Sequence, residues 1–219
     1  MQVKLLIFDL DGTLIDSLAD LTDATNHMLG LFGRPGLTAA DVRLLVGQGA
    51  RRLVEGALPG ADADEVERGL AEFLAYNEDH IADRTVLYPG VMATLERLRG
   101  TAAAMAVVSN KNVLLCRKIL DILGIGGYFG AVLGADSLPF RKPSPEPLHK
   151  LLSDFGAAAG ETVMVGDSIN DIAAGKGAGV TTVGCTFGYG EPDELTNADY
   201  RIDSFPELAG LPFFSRVQR

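Results

Sequence analysis

The stretch Asp9-Leu10-Asp11-Gly12-Thr13-Leu14-Ile15-Asp16 sets two carboxylates two residues apart, directly after the apolar run Leu5-Leu6-Ile7-Phe8. A short continuous apolar run reads as a strand buried on both faces. Asp9 and Asp11 therefore stand where a central strand stops and the chain turns. Burying one charge there is costly, and burying two that repel costs more. A divalent cation is the simplest compensation, since hard cations prefer oxygen ligands. Carboxylates and a cation at the C-terminal end of a strand are where open α/β sheets keep their chemistry. An Asp-Gly turn at a strand end would show the same letters without any chemistry, so the other strand ends have to decide.

Three further apolar runs end in groups that fit. Ala102–Ser109 stops at Ser109-Asn110, just before a helical segment beginning near Asn112. A hydroxyl, an amide and free helix N–H groups together can hold an anion, although a lone serine there reads as a helix cap. After the short run Ala131–Gly134 comes Arg141-Lys142-Pro143-Ser144-Pro145. Its prolines limit where Lys142 can point. A stiffly held ammonium is a point charge for a phosphoryl oxygen, while an exposed turn is the commoner fate of a lysine. The run Thr162–Gly166 leads into Asp167, with Asp171 one helical turn further on. Both can face one cleft. Asp167 can complete a metal shell begun by Asp9, and Asp171 can hold Lys142 or a metal-bound water. The pair would also offset the dipole of a helix start.

These ends need a sheet to bring them together. The runs Lys4–Asp9, Ala102–Ser109, Ala131–Gly134, Thr162–Gly166, Val180–Cys185 and Tyr200–Ile202 read as strands. Helical segments at Asn112–Leu123, Pro145–Phe155 and Ile169–Gly177 fall between the later ones. That alternation predicts an α/β fold: a parallel sheet with helices on both faces and right-handed crossovers. The interval from Asp16 to Tyr88 breaks the rhythm, with helical periodicity and no convincing strand. Leu18, Leu21, Met28, Leu29 and Phe32 can share one helix face. Thr38-Ala39-Ala40-Asp41 reads as a capping box, and Ala50–Leu58 and Ala63–Ile81 continue as helices. A four-helix cap over residues 17–88 is predicted, inserted into a core made of residues 1–16 and 89–219. Both of its connections leave beside the presumed site, so it can act as a lid. The stretch from Glu191 to Arg219 reads as the sixth strand plus a tail.

Composition narrows the partners. The chain has 219 residues, 47% of them hydrophobic, with 26 glycines and 10 prolines, enough for a sizeable globular core. A net charge of −10 argues against nucleic acid. No apolar run approaches the about 20 residues that span a bilayer, and the chain begins in a strand with no leader pattern. Cys116 and Cys185 lie in apolar surroundings without a metal-binding spacing, which suits reduced thiols and a cytoplasmic location. There is no G-x-x-x-x-G-K-[ST], since Gly175-Lys176 is followed by Gly177 and lacks the earlier glycine, and no G-x-S-x-G. A P-loop NTPase and a serine esterase are thereby set aside. His27, His80 and His149 fall on helices with no nucleophile to serve. A non-enzymatic phosphorylatable receiver would share the acidic strand ends and the lysine, but not the helical insertion after the first strand.

The order carboxylate–carboxylate, Ser, Lys, carboxylate–carboxylate resembles the haloacid dehalogenase-like superfamily of phosphatases and mutases. Its four signature segments match Asp9–Asp16, Val108-Ser109-Asn110, Lys142-Pro143 and Gly166–Asp171. The resemblance covers the whole sheet region and implies a Rossmann-like core with a small helical cap. It implies Asp9 as the nucleophile that becomes an aspartyl phosphate, and Asp11 as general acid and then base. It implies Mg2+ held by Asp9, the backbone carbonyl of Asp11 and Asp167. Ser109, Asn110 and Lys142 would hold the phosphoryl group, with Asp171 in support. The physics agrees: Mg2+ and Lys142 would offset equatorial charge and let an anionic Asp9 approach an anionic phosphate.

Several details resemble the phosphoglycolate phosphatases of that superfamily. These are Asp16-Ser17 with Asp20-Leu21, Val46-Gly47-Gln48-Gly49-Ala50, Ser109-Asn110-Lys111 and Phe187-Gly188-Tyr189-Gly190. Gly47, Gln48 and Gly49 form a candidate cap loop whose N–H groups can approach a small carboxylate or phosphate, or simply a turn between helices. Arg51 and Arg52 nearby could add positive charge. No lysine occurs between Ser17 and Tyr88, which disfavours the Schiff-base chemistry of phosphonate-cleaving relatives, and Asp11 argues against dehalogenases. The expected substrate is a small phosphorylated metabolite, 2-phosphoglycolate first. A phosphosugar mutase and a pyrophosphatase or nucleotidase are the alternatives. Oligomeric state is not legible.

Overall fold

The structure, a computed structural model, describes residues 3–214 apart from Ala102. Its strands are β1 (Leu5–Phe8), β2 (Ile15–Asp16), β3 (Val86–Leu87), β4 (Ala104–Val108), β5 (Ala131–Leu133), β6 (Thr162–Gly166), β7 (Thr181–Cys185) and β8 (Tyr200–Ile202). Six of them form one parallel sheet in the order β5-β4-β1-β6-β7-β8. The fold is α/β, as the alternation predicts. β4 and β5 lie to one side of β1, and β6 to β8 to the other. The crevice beyond the carboxyl ends of β1, β4 and β6 is thus a topological switch point, the usual place for ligands in such sheets. Phe8 pairs with both Val107 and Val165. That register brings the residues following three strands, Asp9, Ser109 and Asp167, to one edge.

Side chains of β1 alternate between two cores, as a pleated strand requires. Leu6 and Phe8 pack with Leu95, Ile119 and Phe205, while Leu5 and Ile7 pack with Leu148, Leu151 and Ala174. All four are fully buried. Helices therefore cover both faces: α5 (Val91–Arg99) and α6 (Val113–Ile122) on one, α7 (Glu146–Phe155) and α8 (Ile169–Gly177) on the other. The sequence reading singles out α6, α7 and α8 but not α5. Ala102, where the second strand was expected to begin, and residues 215–219 of the tail lie outside the described residues. Phe205–Gly210 is a 3-10 turn that packs on α5 and sets Phe205 in the core.

The interval after β1 holds α1 (Leu18–Leu31), α2 (Ala39–Arg43), α3 (Ala50–Ala57) and α4 (Ala63–Asp79). They bury their own cluster, with Leu21, Met28, Leu29, Leu53, Val54 and Phe73 at its centre. The Thr38/Asp41 capping box forms: Thr38 Oγ1 accepts from Asp41 N at 3.2 Å, and Thr38 N donates to Asp41 Oδ2 at 2.9 Å. A second box, Asp62 with Glu65, opens α4.

One expectation needs correcting. β2 and β3 pair antiparallel, Ile15 with Leu87 and Asp16 with Val86, so the interval does end in a strand. Two residues are too few for an alternating pattern to show. The pairing lays the two connections of the helical insertion side by side. The buried Asp20 carboxylate ties them further, accepting from Arg84 N at 3.0 Å, Thr85 N at 2.8 Å and Thr85 Oγ1 at 2.6 Å.

Candidate active site

Asp9 is the first residue beyond β1, buried at 9% exposure. Its Oδ1 lies 2.7 Å from Lys142 Nζ. Lys142, 3% exposed, also donates to Asp171 Oδ1 at 2.7 Å and to Val108 O at 2.6 Å. A fully engaged buried ammonium is far from the exposed-turn alternative. The Lys142–Pro143 peptide bond is cis. The other oxygen of Asp171 accepts from Ser168 N at 3.0 Å and Ser168 Oγ at 2.8 Å. Both readings of Asp171 are realised together: it closes the capping box of α8 and holds the lysine.

Asp167 is clamped from three sides. Thr13 Oγ1 donates to Oδ1 at 3.1 Å, and Tyr189 N and Gly190 N donate to Oδ2 at 2.7 and 3.3 Å. The turn at Gly12 has φ +85°, and a Cβ there would strike the Asp167 carboxylate. Only glycine both adopts that backbone and leaves the room. A Cβ at Gly188 would likewise strike Asp167, which gives the Phe187-Gly188-Tyr189-Gly190 stretch its reason.

Asp11 sits above Asp9 and is half-buried. It accepts from Ser17 Oγ at 2.5 Å and pairs with Lys111 Nζ at 2.9 Å. Tyr189 OH receives Ser17 N at 2.6 Å and donates to Asp16 Oδ1 at 3.0 Å. Lys111, Ser17, Tyr189 and Thr13 thus belong to the site without having been given roles from sequence. All four lie inside stretches singled out in the sequence, but nothing in their spacing says which acidic group each would meet.

Ser109 is buried, and its Oγ accepts from Lys111 N at 3.2 Å. It does not cap α6; that cap is Asn112, which accepts from Leu114 N at 2.9 Å. Asn110 Nδ2 donates to Lys142 O and Gly47 O, both at 2.9 Å, and its Oδ1 has no partner among the described residues. Gly47 O also accepts from Asn170 Nδ2 at 3.3 Å. The cap loop Gly47-Gln48-Gly49 is therefore held against the core by two asparagine amides. Gly49 has φ +88°, and a Cβ there would lie 3.0 Å from Asn110 O and 3.6 Å from Arg141 Nη1. Gln48 is exposed and lines the mouth beside Asp167 and Tyr189. Arg51 and Arg52 pair with Glu67 and Glu55. His27 and His80 stack on Tyr76, on the helical insertion, and His149 is exposed.

Burial raises Asp9 well above the usual carboxylate range; Lys142 pulls it back, and Asp171 and Asp167 push it further up. Asp167 is pushed up to about 7, by burial first and Asp171 second, against the N–H groups of Tyr189 and Gly190. For Lys142, burial acts downward, but Asp171 and Asp9 outweigh it and hold the ammonium above its ordinary value. Asp9, Asp167 and Asp171 offer oxygens that all lie within 4.8 Å of one another. An all-oxygen set with more negative than positive charge fits a hard divalent cation. A cavity of about 250 Å3 opens above it, between the sheet edge and the helical insertion, lined by Asp9, Asp11, Ser109, Lys111 and Lys142 at its floor.

A buried nucleophile-competent carboxylate, a second carboxylate above it, a fixed ammonium and a metal-competent cluster at one switch point define a hydrolase of a known kind. The family model of the haloacid dehalogenase-like hydrolases matches residues 3–179, and the chain belongs to that family. It is a phosphatase of the family, similar to curated phosphoglycolate phosphatases. The one from Neisseria meningitidis is 41% identical, over 94% of this chain and 92% of the relative. The one from Pseudomonas putida is 42% identical, over 94% of this chain and 78% of the relative. A solved structure from Haemophilus somnus, described as a predicted phosphoglycolate phosphatase, superposes with a TM-score of 0.92 at 34% identity, covering 96% and 98% of the two chains.

Proposed function

We propose that the chain is a Mg2+-dependent phosphomonoesterase that works through an aspartyl phosphate on Asp9, with 2-phosphoglycolate as its first substrate. The observation that supports it most is the grouping of Asp9 with Lys142 at 2.7 Å and with Asp167 and Asp171, under a cavity that Asp11 also lines. The similarity to curated phosphoglycolate phosphatases supports the choice of substrate.

Asp9 and Asp167, with the backbone carbonyl of Asp11, would hold the Mg2+. When bound, the ion supplies charge neutralisation at the phosphoryl oxygens. Lys142 adds a second positive charge at a fixed point, and Asp171 keeps that ammonium in place. An Asp9 oxygen attacks phosphorus as the ester bond breaks. Asp11 gives the leaving oxygen its proton, then takes one from the water that cleaves the acyl phosphate. Lys111 and Ser17 hold the Asp11 carboxylate over Asp9. Ser109 and the N–H groups of its loop would receive the phosphoryl oxygens; the Asn110 amide, turned to Gly47 and Lys142, contributes by fixing loop and lysine. Residues 17–88 act as the cap over a core of 1–16 and 89–219, with β2 and β3 as its paired hinges. The buried free thiols Cys116 and Cys185 fit a reducing compartment, and we place the enzyme in the cytoplasm.

The test is phosphate release from a panel of 2-phosphoglycolate, glucose phosphates, nucleoside monophosphates and pyrophosphate, with Mg2+ and with EDTA. The reading requires turnover that EDTA abolishes and the highest kcat/KM on phosphoglycolate. A different top substrate overturns the substrate choice; turnover indifferent to EDTA overturns the metal.

A further inference from the structure

The cavity above Asp9 and Asp11 does not stop at the reacting groups. It continues under the cap, where its wall is Leu21, Leu45, Leu53, Leu70, Phe73 and Leu74. One amide lines it among these apolar side chains, that of Asn77 on α4. Asn77 is 3% exposed, and its side chain has no hydrogen-bond partner among the described residues. Buried polar side chains nearly always have one; the Asn77 amide lines the cavity instead, where its donor and acceptor stay open to whatever fills it. Asparagine is also a weak helix former, so the helix gains nothing from it. An amide without a protein partner, in the wall of a cavity continuous with a catalytic carboxylate, is placed for a ligand atom.

The charged groups of the cavity floor are already committed: Lys142 to Asp9 and Asp171, and Lys111 to Asp11. Arg51 is paired with Glu67, and Arg141, which also lines the cavity, lies at its loop end beside Gly49. A substrate carboxylate can stay at that loop end, whereas an anion reaching the leucine-walled end around Asn77 would be poorly compensated. An apolar body with a neutral polar end would not, since an amide can both donate and accept.

Resting on the phosphomonoesterase reading, we propose that this lobe takes the leaving group of a further substrate class: monoesters of alcohols or phenols whose apolar body ends in an uncharged hydrogen-bonding atom, which Asn77 pairs. The reaction balances as for any monoester. The Asp9 oxygen–phosphorus bond forms as the ester P–O bond breaks, and Asp11 protonates the departing oxygen. Water then cleaves the acyl phosphate, returning its proton to Asp11.

The test uses the full chain with Mg2+ and esters in matched pairs: p-acetylphenyl with p-isopropylphenyl phosphate, and 4-hydroxybutyl with pentyl phosphate. Each pair keeps its shape and differs in the polar end. The wild type is expected to prefer the polar-ended member of at least one pair in kcat/KM. Asn77→Leu, and Asn77→Ala carried in parallel in case one fails to fold, should reduce that preference about tenfold. Comparing ratios within a pair cancels leaving-group acidity. No preference in the wild type, or the same preference in the folded variants, overturns the inference. If phosphoglycolate is hydrolysed in those cases, the phosphatase reading stands and this inference alone falls. If no monoester releases phosphate, that reading falls and takes the inference with it.

Discussion

Lys142→Met removes the ammonium that Asp9 and Asp171 share and keeps the volume. In the parent, that ammonium is shared by Asp9, Asp171 and the Val108 carbonyl, at 2.7, 2.7 and 2.6 Å. Deleting one partner of a buried ion pair costs about 3–5 kcal/mol, because the other charge stays buried alone. Here two carboxylates and a carbonyl lose their donor at once, so the upper part of that range applies, about 4–5 kcal/mol. Against a typical total of about 5–15 kcal/mol this is a large share. At about 2–4 °C per kcal/mol for a chain of this size, Tm falls by about 8–20 °C. Phosphate release should fall by about 100-fold or more, the usual cost of one preorganised transition-state donor. Urea unfolding in EDTA gives the stability, and phosphate release in Mg2+ gives the activity. Adding Asp171→Asn to Lys142→Met should cost less than the two single changes summed, since the second removes a charge the first left unpaired. A Lys142→Met protein within about 1 kcal/mol of the parent, or one with additive effects, would refute the electrostatic reasoning.

Other consequences follow from the same geometry. Asp167 sits near 7 when folded, against about 4 unfolded. A carboxyl raised in this way loses stability as it ionises, so the metal-free protein weakens as pH rises between those values, and a divalent cation reverses the loss. The Tm gain from Mg2+ should thus be small near about pH 5 and larger near about pH 8; equal gains would contradict the burial argument. Burial pushes the Cys116 thiol up to about 12 and Cys185 well above its usual value. Neither should react with a thiol reagent at neutral pH until denaturant is added, and a fast native thiol would show the core is open. Tyr189→Phe leaves Ser17 N without its acceptor and Asp16 Oδ1 with only the Leu18 N–H among its described donors. A loss of about 1–3 kcal/mol in urea unfolding is expected. Mg2+ affinity should be little changed, because Tyr189 holds Asp167 through its backbone N–H.

What could be read from the chain follows from how far each signal reaches. β1 and β6 announce themselves as unbroken apolar runs, and the polar residue after each run is a site residue because the parallel register aligns the strand ends. Asp9, Ser109 and Asp167 were legible as candidates for that reason, and Lys142 because its prolines limit where it can point. Lys111, Thr13 and Tyr189 were not. Their roles depend on partners at separations such as 100, 154 and 22 residues, which only the folded sheet brings together. The β2–β3 pair is too short for periodicity, yet it is what places both connections of the helical insertion beside Asp11. Asn77 looks like any polar residue of an amphipathic helix; its burial appears only once α1, α3 and α4 close around it.

Phosphoryl capture by Asp9 is tested most directly by trapping it. Asp11→Asn is mixed with 2-phosphoglycolate and Mg2+, quenched in acid, and digested for mass spectrometry. The expected result is one phosphoryl group on the Asp9 side chain, absent with EDTA and absent from Asp9→Asn, which should also release no phosphate over many turnovers. A label on any other residue, or undiminished multiple-turnover hydrolysis by Asp9→Asn, contradicts it.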